Sequence, residues 1–191
     1  GVPVRPSPLP ENTGQALMGL LVLGSGRPGS ACAFDLLQNN EVTEVRLADL
    51  HIDHLPHFLA PYSGTRLIPT PLDVRDHEAV GALMRESDAV MSAIPYYFNF
   101  ELAALAVEAG VHFSDLGGNT EIVIKQKTLD AAAKKKCIPI IPDCGLEPGM
   151  VRIPAETALR TTHTVEAVRI FLRGWHPRPR HPPTHQSLRA P

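Results

Sequence analysis

Cysteine is scarce in this 191-residue chain: Cys32, Cys137 and Cys144 are the only three, with no C-x-x-C spacing and one necessarily odd. That excludes a disulfide framework and a structural zinc site, and it points to a reducing, cytoplasmic setting. No apolar run approaches the roughly 18 residues of a membrane span. The formal net charge is only −2, so neither a membrane nor a nucleic acid is an expected partner. Gly1 to Gln15 hold four prolines and no apolar signal core, and residues 1–16 read as a flexible leader rather than a secretory signal. No metal site is expected either. His51, His54 and His57 recur every third residue, but Pro56 interrupts them and a helix would fan them across its surface.

What the chain does have is a repeating alternation. Short apolar runs occur at Met18–Leu23, Val45–Ala48, Arg66–Leu72, Ala89–Ile94, Val111–Ser114 and Ile138–Ile141. Helical patterns separate them at Pro28–Gln38, Asp76–Glu86, Phe98–Ala109 and Glu121–Lys135, with a short segment at His51–Leu59. Six strands alternating with about five helices predict an α/β fold, a parallel sheet covered on both faces. Right-handed crossovers favour the doubly wound order 3-2-1-4-5-6. Asp76 is expected to cap the third of these segments, and Gly110 to close the next in the left-handed conformation.

The first apolar run ends in Gly24-Ser25-Gly26-Arg27-Pro28-Gly29, and a helix-compatible segment follows directly. Strand, then glycines, then helix is the context in which G-x-G-x-x-G signals dinucleotide binding of the Rossmann type. Gly24 would permit the sharp turn, Gly26 the approach of a pyrophosphate, and Gly29 close packing of helix on strand. The first amides of the helix would then face the phosphates, aided by its dipole. Pro28 removes at most one of those donors, and its fixed φ suits a first helical turn.

Ligands of an open parallel sheet lie beyond the carboxyl ends of its strands, and the residues following each run are therefore the candidates. Asp49, twenty residues past Gly29, would accept both adenine-ribose hydroxyls and repel a 2′-phosphate. Neither Leu50 nor His51 offers an arginine to hold such a phosphate, which favours NAD over NADP. Asp73, with Val74, would approach the adenine, although an aspartate opening a turn is equally ordinary. Ala93, Ile94 and Pro95 end a strand with small residues and a proline, and Tyr96 or Tyr97 would wall the nicotinamide side. Asp115-Leu116-Gly117-Gly118-Asn119 reads as a tight loop beside ligand. Asp143-Cys144-Gly145-Leu146-Glu147 brings two acids and a thiol where a substrate amine could dock. The carboxylates are the better candidates for holding a cation, since such a cysteine is more often a small buried hydrophobe.

Leu72-Asp73-Val74-Arg75-Asp76, Ala93-Ile94-Pro95-Tyr96, Asp115-Leu116-Gly117-Gly118-Asn119 and Asp143-Cys144-Gly145-Leu146-Glu147-Pro148-Gly149-Met150 follow the glycine motif in this order. Together they resemble the saccharopine dehydrogenase-like family over residues 18–172, and within it most closely the lysine 6-dehydrogenases. The Tyr-x-x-x-Lys of short-chain dehydrogenases is missing, because Phe100 and Glu101 stand four residues after Tyr96 and Tyr97. The resemblance implies NAD-dependent oxidation of the carbon bearing the 6-amino group of L-lysine to an imine, which hydrolyses to the semialdehyde and ammonia. It also implies a homodimer in the full-length family. It sets Tyr96, Asp115, Asn119, Asp143 and Cys144 around the substrate pocket. Gly24, Ser25, Gly26, Arg27, Gly29, Asp49, Asp73, Val74, Ala93, Ile94, Pro95 and Gly117 are the expected cofactor contacts.

On this reading 17–149 is the NAD-binding domain. Residues 150–172 open a second, substrate-binding and dimerisation domain, with a helix over Met150–Thr161 and a strand over Val165–Leu172. Residues 173–191 hold four arginines, five prolines and no acid; they form a basic tail that departs from the family pattern. The expected second domain is thus cut short, and turnover by this chain is expected to be impaired. Two alternatives stand beside the lysine reading: a non-catalytic NAD-binding module, and a dehydrogenase of the saccharopine or polyamine type.

Overall fold

Leu21, Val22 and Leu23 are fully buried. Because successive strand side chains point to opposite faces, these three residues serve two separate cores. Leu21 and Leu23 pack with Val80, Met84, Leu102, Ala103, Ala106 and Phe113. Val22 packs on the other side with Ala33, Leu37, Val45, Leu47, Leu59 and Leu67. A strand buried on both faces reads as a continuous apolar run, which is the pattern of a parallel sheet.

The computed structural model describes residues 18–162 and 164–169; the expected leader (1–16) and basic tail (173–191) lie outside the described residues. Its elements are β1 (Met18–Leu23), α1 (Arg27–Leu36), β2 (Val42–Asp49), β3 (Leu67–Pro71), α2 (His77–Arg85) and β4 (Ala89–Ser92). Then come α3 (Asn99–Ala109), β5 (His112–Asp115), α4 (Thr120–Lys127), α5 (Asp130–Lys135), β6 (Ile140–Ile141) and α6 (Val151–Thr161). The six strands form one sheet in the order β3-β2-β1-β4-β5-β6, and every pairing is parallel. This is the doubly wound α/β architecture expected from the alternation of elements. Its switch point lies between β1 and β4, where the chain crosses from one half of the sheet to the other.

Local chemistry accounts for most boundaries. The Asp76 carboxylate accepts from the Ala79 amide at 3.0 Å and caps α2, while Gly110 closes α3 at φ 77°. α1 has no basic residue in its last turn, and Arg66 supplies the missing cation from the start of β3. Its guanidinium donates to the carbonyls of Leu37 at 2.9 Å and Asn39 at 2.6 Å, and also to Val42. One expected element divides. The helix foreseen over Glu121–Lys135 breaks into α4 and α5, because the Thr128 hydroxyl takes the Lys125 carbonyl at 2.6 Å and the Leu129 amide pairs with Gln126 instead. A β-branched hydroxyl bonding back along its own helix competes with the helical ladder in this way.

The chain separates into two compact units meeting between Met150 and Val151. In the second, α6 occupies nearly the span expected of a helix. The strand expected over Val165–Leu172 is not formed across its described part: residues 164–169 adopt no regular structure, and 170–172 lie outside the described residues. A lone strand has no ladder partner to satisfy its backbone.

Candidate functional site

β1 delivers the glycine loop to the switch point. Gly24 sits at φ 99°, where a Cβ would come within 2.9 Å of the Ala93 carbonyl at the end of β4; only glycine fits between the two strands. Gly29 is buried, and a Cβ there would overlap the Gly24 carbonyl. That contact draws α1 against β1, and the Ser30 hydroxyl fastens it by donating to the Ser25 carbonyl at 2.7 Å. Gly26 is different. It is exposed, takes an ordinary φ of −60°, and a Cβ on it would meet nothing nearer than Pro28 Cδ at 3.9 Å. The space in front of Gly26 is therefore open, and α1 begins there with no side-chain cap and no acid in its first turn. First-turn amides have no intrahelical partner, so the start of α1 is a set of outward donors at the positive end of a helix dipole. Pro28 occupies the second helical position, where its missing N–H costs little.

Asp49 ends β2 beside this loop. One carboxylate oxygen accepts the Ser25 amide at 2.6 Å and the other the His51 amide at 3.0 Å. Partial burial works to raise its pKa, but these amides and the Ser25 hydroxyl outweigh it and hold the carboxyl below its ordinary value. Each oxygen keeps a lone pair for a further donor. Next to it opens a cleft of about 360 Å³ lined by Asp49, Leu72, Asp73, Val74, Arg75 and Ile94, among others. Asp73 pairs with Arg75 in the lining of this cleft, accepting from Nε at 2.9 Å and from Nη2 at 2.5 Å. The guanidinium pulls the Asp73 carboxyl down to about 2, and the carboxylate raises Arg75 in turn. Arg75 was not singled out from the sequence, because a residue two places after a turn aspartate gives no sign that it will fold back onto it.

At the far side of the switch point the Ala93 amide donates to the Leu23 carbonyl at 2.8 Å, Pro95 ends the extended segment, and a single 3-10 turn covers Tyr96–Phe98. Tyr96 is half-buried and lies against Gly118, where a Cβ would come within 3.3 Å of the ring. Tyr97 is exposed and meets Tyr96 edge-on. Of the two tyrosines, Tyr96 is the one built into the sheet edge.

The loops after β5 and β6 prove to be interlocked. Gly117 stands at φ 74°, and a Cβ there would overlap the Asp143 side chain; a Cβ on Gly145 would overlap the Leu116 carbonyl. Asp143 itself is held at φ 59°. Asp115 is the post between them. It is fully buried, one oxygen accepting the amides of Gly117 at 2.7 Å and Asp143 at 3.2 Å, the other the Gln126 side-chain amide at 2.6 Å. Its carbonyl also takes the Cys144 amide at 2.8 Å. The sequence reads Asp115 as part of a tight loop beside ligand; in the fold its carboxylate is enclosed between the two loops. Asn119 spends its side-chain oxygen on the amides of Glu121 and Ile122, capping α4. Cys144 is exposed; burial of its sulfur, and then the charges of Asp115 and Asp143, push its thiol above the ordinary value, against a thiolate nucleophile. Among the described residues, no three His, Cys, Asp or Glu converge as a metal site, and no helix is long and apolar enough to cross a membrane.

A six-stranded parallel sheet in this order, with a glycine turn opening a helix at its switch point, defines a Rossmann-type NAD(P)-binding domain of the oxidoreductases. More closely, the chain belongs to the family of the saccharopine dehydrogenase NADP-binding domain, whose model matches residues 20–141. Among solved structures it is similar to apo saccharopine dehydrogenase (L-Glu forming) from Saccharomyces cerevisiae. That match has 24% identity and a TM-score of 0.62, and covers 76% of this chain and 31% of the yeast chain. It is also similar to the UDP-N-acetylglucosamine 3-dehydrogenase GnnA from Acidithiobacillus ferrooxidans, at 24% identity and TM-score 0.51, over 75% of this chain and 42% of the other. At these identities the likeness bears on the fold, and the chain spans well under half the length of either protein.

Proposed function

We propose that this chain forms the NAD-binding part of a dehydrogenase that oxidises the carbon bearing the 6-amino group of L-lysine. The product is an imine that hydrolyses to the semialdehyde and ammonia. The observation that carries the cofactor half is the open first turn of α1 in front of Gly26, set beside the Asp49 carboxylate. The group fits these residues. The amides around Gly26, Arg27 and Gly29 suit a pyrophosphate, Asp49 has lone pairs to spare for two ribose hydroxyls, and the cleft beside Asp73 and Val74 suits an adenine. When bound, the nicotinamide would take the hydride.

NAD is favoured over NADP by charge. Asp49 and Asp73 bring two carboxylates to this end of the site, and Arg75, which lines the cleft with them, is already paired with Asp73. A 2′-phosphate would have to win Arg75 from Asp73 while facing Asp49. On the other side of the switch point, Ala93, Ile94, Pro95 and Gly117 leave room against the backbone for the second half of the dinucleotide. Tyr96, Asn119, Asp143 and Cys144 border the substrate, with Asp143 holding the cationic amine and Asp115 positioning the loops. The amine must lose its proton before the carbon that bears it can release hydride, and desolvation in the pocket lowers the amine pKa in the required direction. The longer protein would pair as a homodimer in the cytoplasm.

The family's name supports a second substrate, the secondary amine saccharopine. Absorbance of NADH formed from lysine, saccharopine and a polyamine side by side separates these readings; lysine is expected to lead. For the cofactor, calorimetry is expected to show NAD bound more tightly than NADP. Asp49→Ser with Leu50→Arg should shift that preference toward NADP by roughly tenfold, about 1.4 kcal/mol. An unchanged preference would show that Asp49 is not at the ribose.

A further inference from the structure

Gln126 lies outside every motif of the sequence, on α4, yet it is almost wholly buried and its amide reaches the one buried carboxylate among the described residues. A carboxylate held in the interior without a cation needs strong donors. Asp115 has three: two backbone amides, from Gly117 and Asp143, and the Gln126 side chain. Gln126 achieves this while leaving its own Oε1 buried with no partner among the described residues, a cost comparable to a lost hydrogen bond. An apolar side chain would avoid that cost, so the amide donor is what the site requires. The same amide also reaches toward the Asn99 carbonyl, at 3.5 Å, and the Asn99 side chain accepts from Ser92 at the end of β4 at 2.8 Å. The ends of β4, β5 and β6 are thereby tied into one polar assembly.

Resting on the dinucleotide reading above, we propose that Gln126 is a positioning residue for the nicotinamide half of the cofactor. By fixing Asp115 as the post between the loops after β5 and β6, it holds the backbone of Gly117 and Gly118 and the Asp143 loop in the shape the ring and the substrate amine meet. The adenosine half, at β2 and β3, makes none of these contacts and does not depend on it. Losing the donor leaves the second Asp115 oxygen bare; the loops then part to admit water, and the cleft loosens at one end only.

The test compares NAD with ADP-ribose, which lacks the nicotinamide, by calorimetry on the wild-type chain and on Gln126→Leu. NADH fluorescence serves as a direct signal from the ring, and a thermal melt checks folding. The wild type is expected to bind NAD more tightly than ADP-ribose and to enhance NADH emission. Gln126→Leu is expected to lose roughly tenfold of that preference and the enhancement, with ADP-ribose affinity held within about twofold. If Gln126→Leu does not fold, Gln126→Asn, whose amide falls one methylene short, is read the same way. A preference and enhancement unchanged in the Gln126 variants overturns the inference and leaves the cofactor reading standing. No binding of either ligand by the wild type overturns both.

Discussion

Gly26 and Gly29 stand three residues apart in one motif and answer opposite demands. A side chain at Gly29 would overlap the Gly24 carbonyl, whereas one at Gly26 would project into open space. Gly26→Asp is therefore expected to leave the thermal midpoint nearly unchanged while abolishing NAD binding by calorimetry, its charge filling the place of the pyrophosphate. Gly29→Ala should lower stability by about 1–3 kcal/mol in denaturant melts with no ligand present, as overpacking does. Equal and small effects at both positions would refute this division. Asp49 carries a pH dependence of definite sign. Its carboxyl is held below its ordinary value, so the stability it lends is fully present above that ordinary value and is lost as pH falls through the depressed native one. Denaturation midpoints of the wild type and Asp49→Asn should differ near neutrality and converge in stronger acid.

At the scale of elements, what could be read locally was the chemistry a residue performs on its own segment. Asp76 caps the helix it precedes and Gly110 ends the helix it follows; both were legible because capping needs only near neighbours. Arg66 was not. It serves the end of α1 and the start of β2 from the edge of β3, across about 25 residues of chain. Arg66→Met is expected to cost about 1.5–3 kcal/mol, the range for hydrogen bonds from a charged donor, read as a lowered denaturation midpoint with NAD affinity little changed. The break between α4 and α5 was also hidden, because Thr128 can bond back to Lys125 or leave the helix unbroken, and propensity alone does not choose.

Over the whole molecule, the described residues divide at Met150 into a cofactor-type unit and a second unit containing α6. The chain covers 31% of the yeast saccharopine dehydrogenase it resembles. On the proposed function, a polypeptide of these 191 residues is expected to bind NAD. Binding should appear as a rise in melting temperature that grows with the logarithm of NAD concentration, since a ligand of the native state stabilises by mass action. Robust turnover by this polypeptide would mean that the substrate pocket is already complete within it.

The sequence by itself determined the sheet order, the glycine turn and the carboxylate at the end of β2, because each depends on short-range periodicity or on a spacing within one β-α-β unit. Tertiary structure alone decided how the later phrases pack. Asp115 and Gly117 read in sequence as a loop beside ligand and Asp143 as a docking place for an amine; the fold adds that a Cβ on Gly117 or Gly145 would overlap the facing loop and that Asp115 is buried as the post between the two. Gln126 and Arg75 entered only through the fold, one by reaching a buried carboxylate from a neighbouring helix and the other by closing on Asp73. Burial and partner choice are properties of the packed molecule, and no spacing along the chain encodes them.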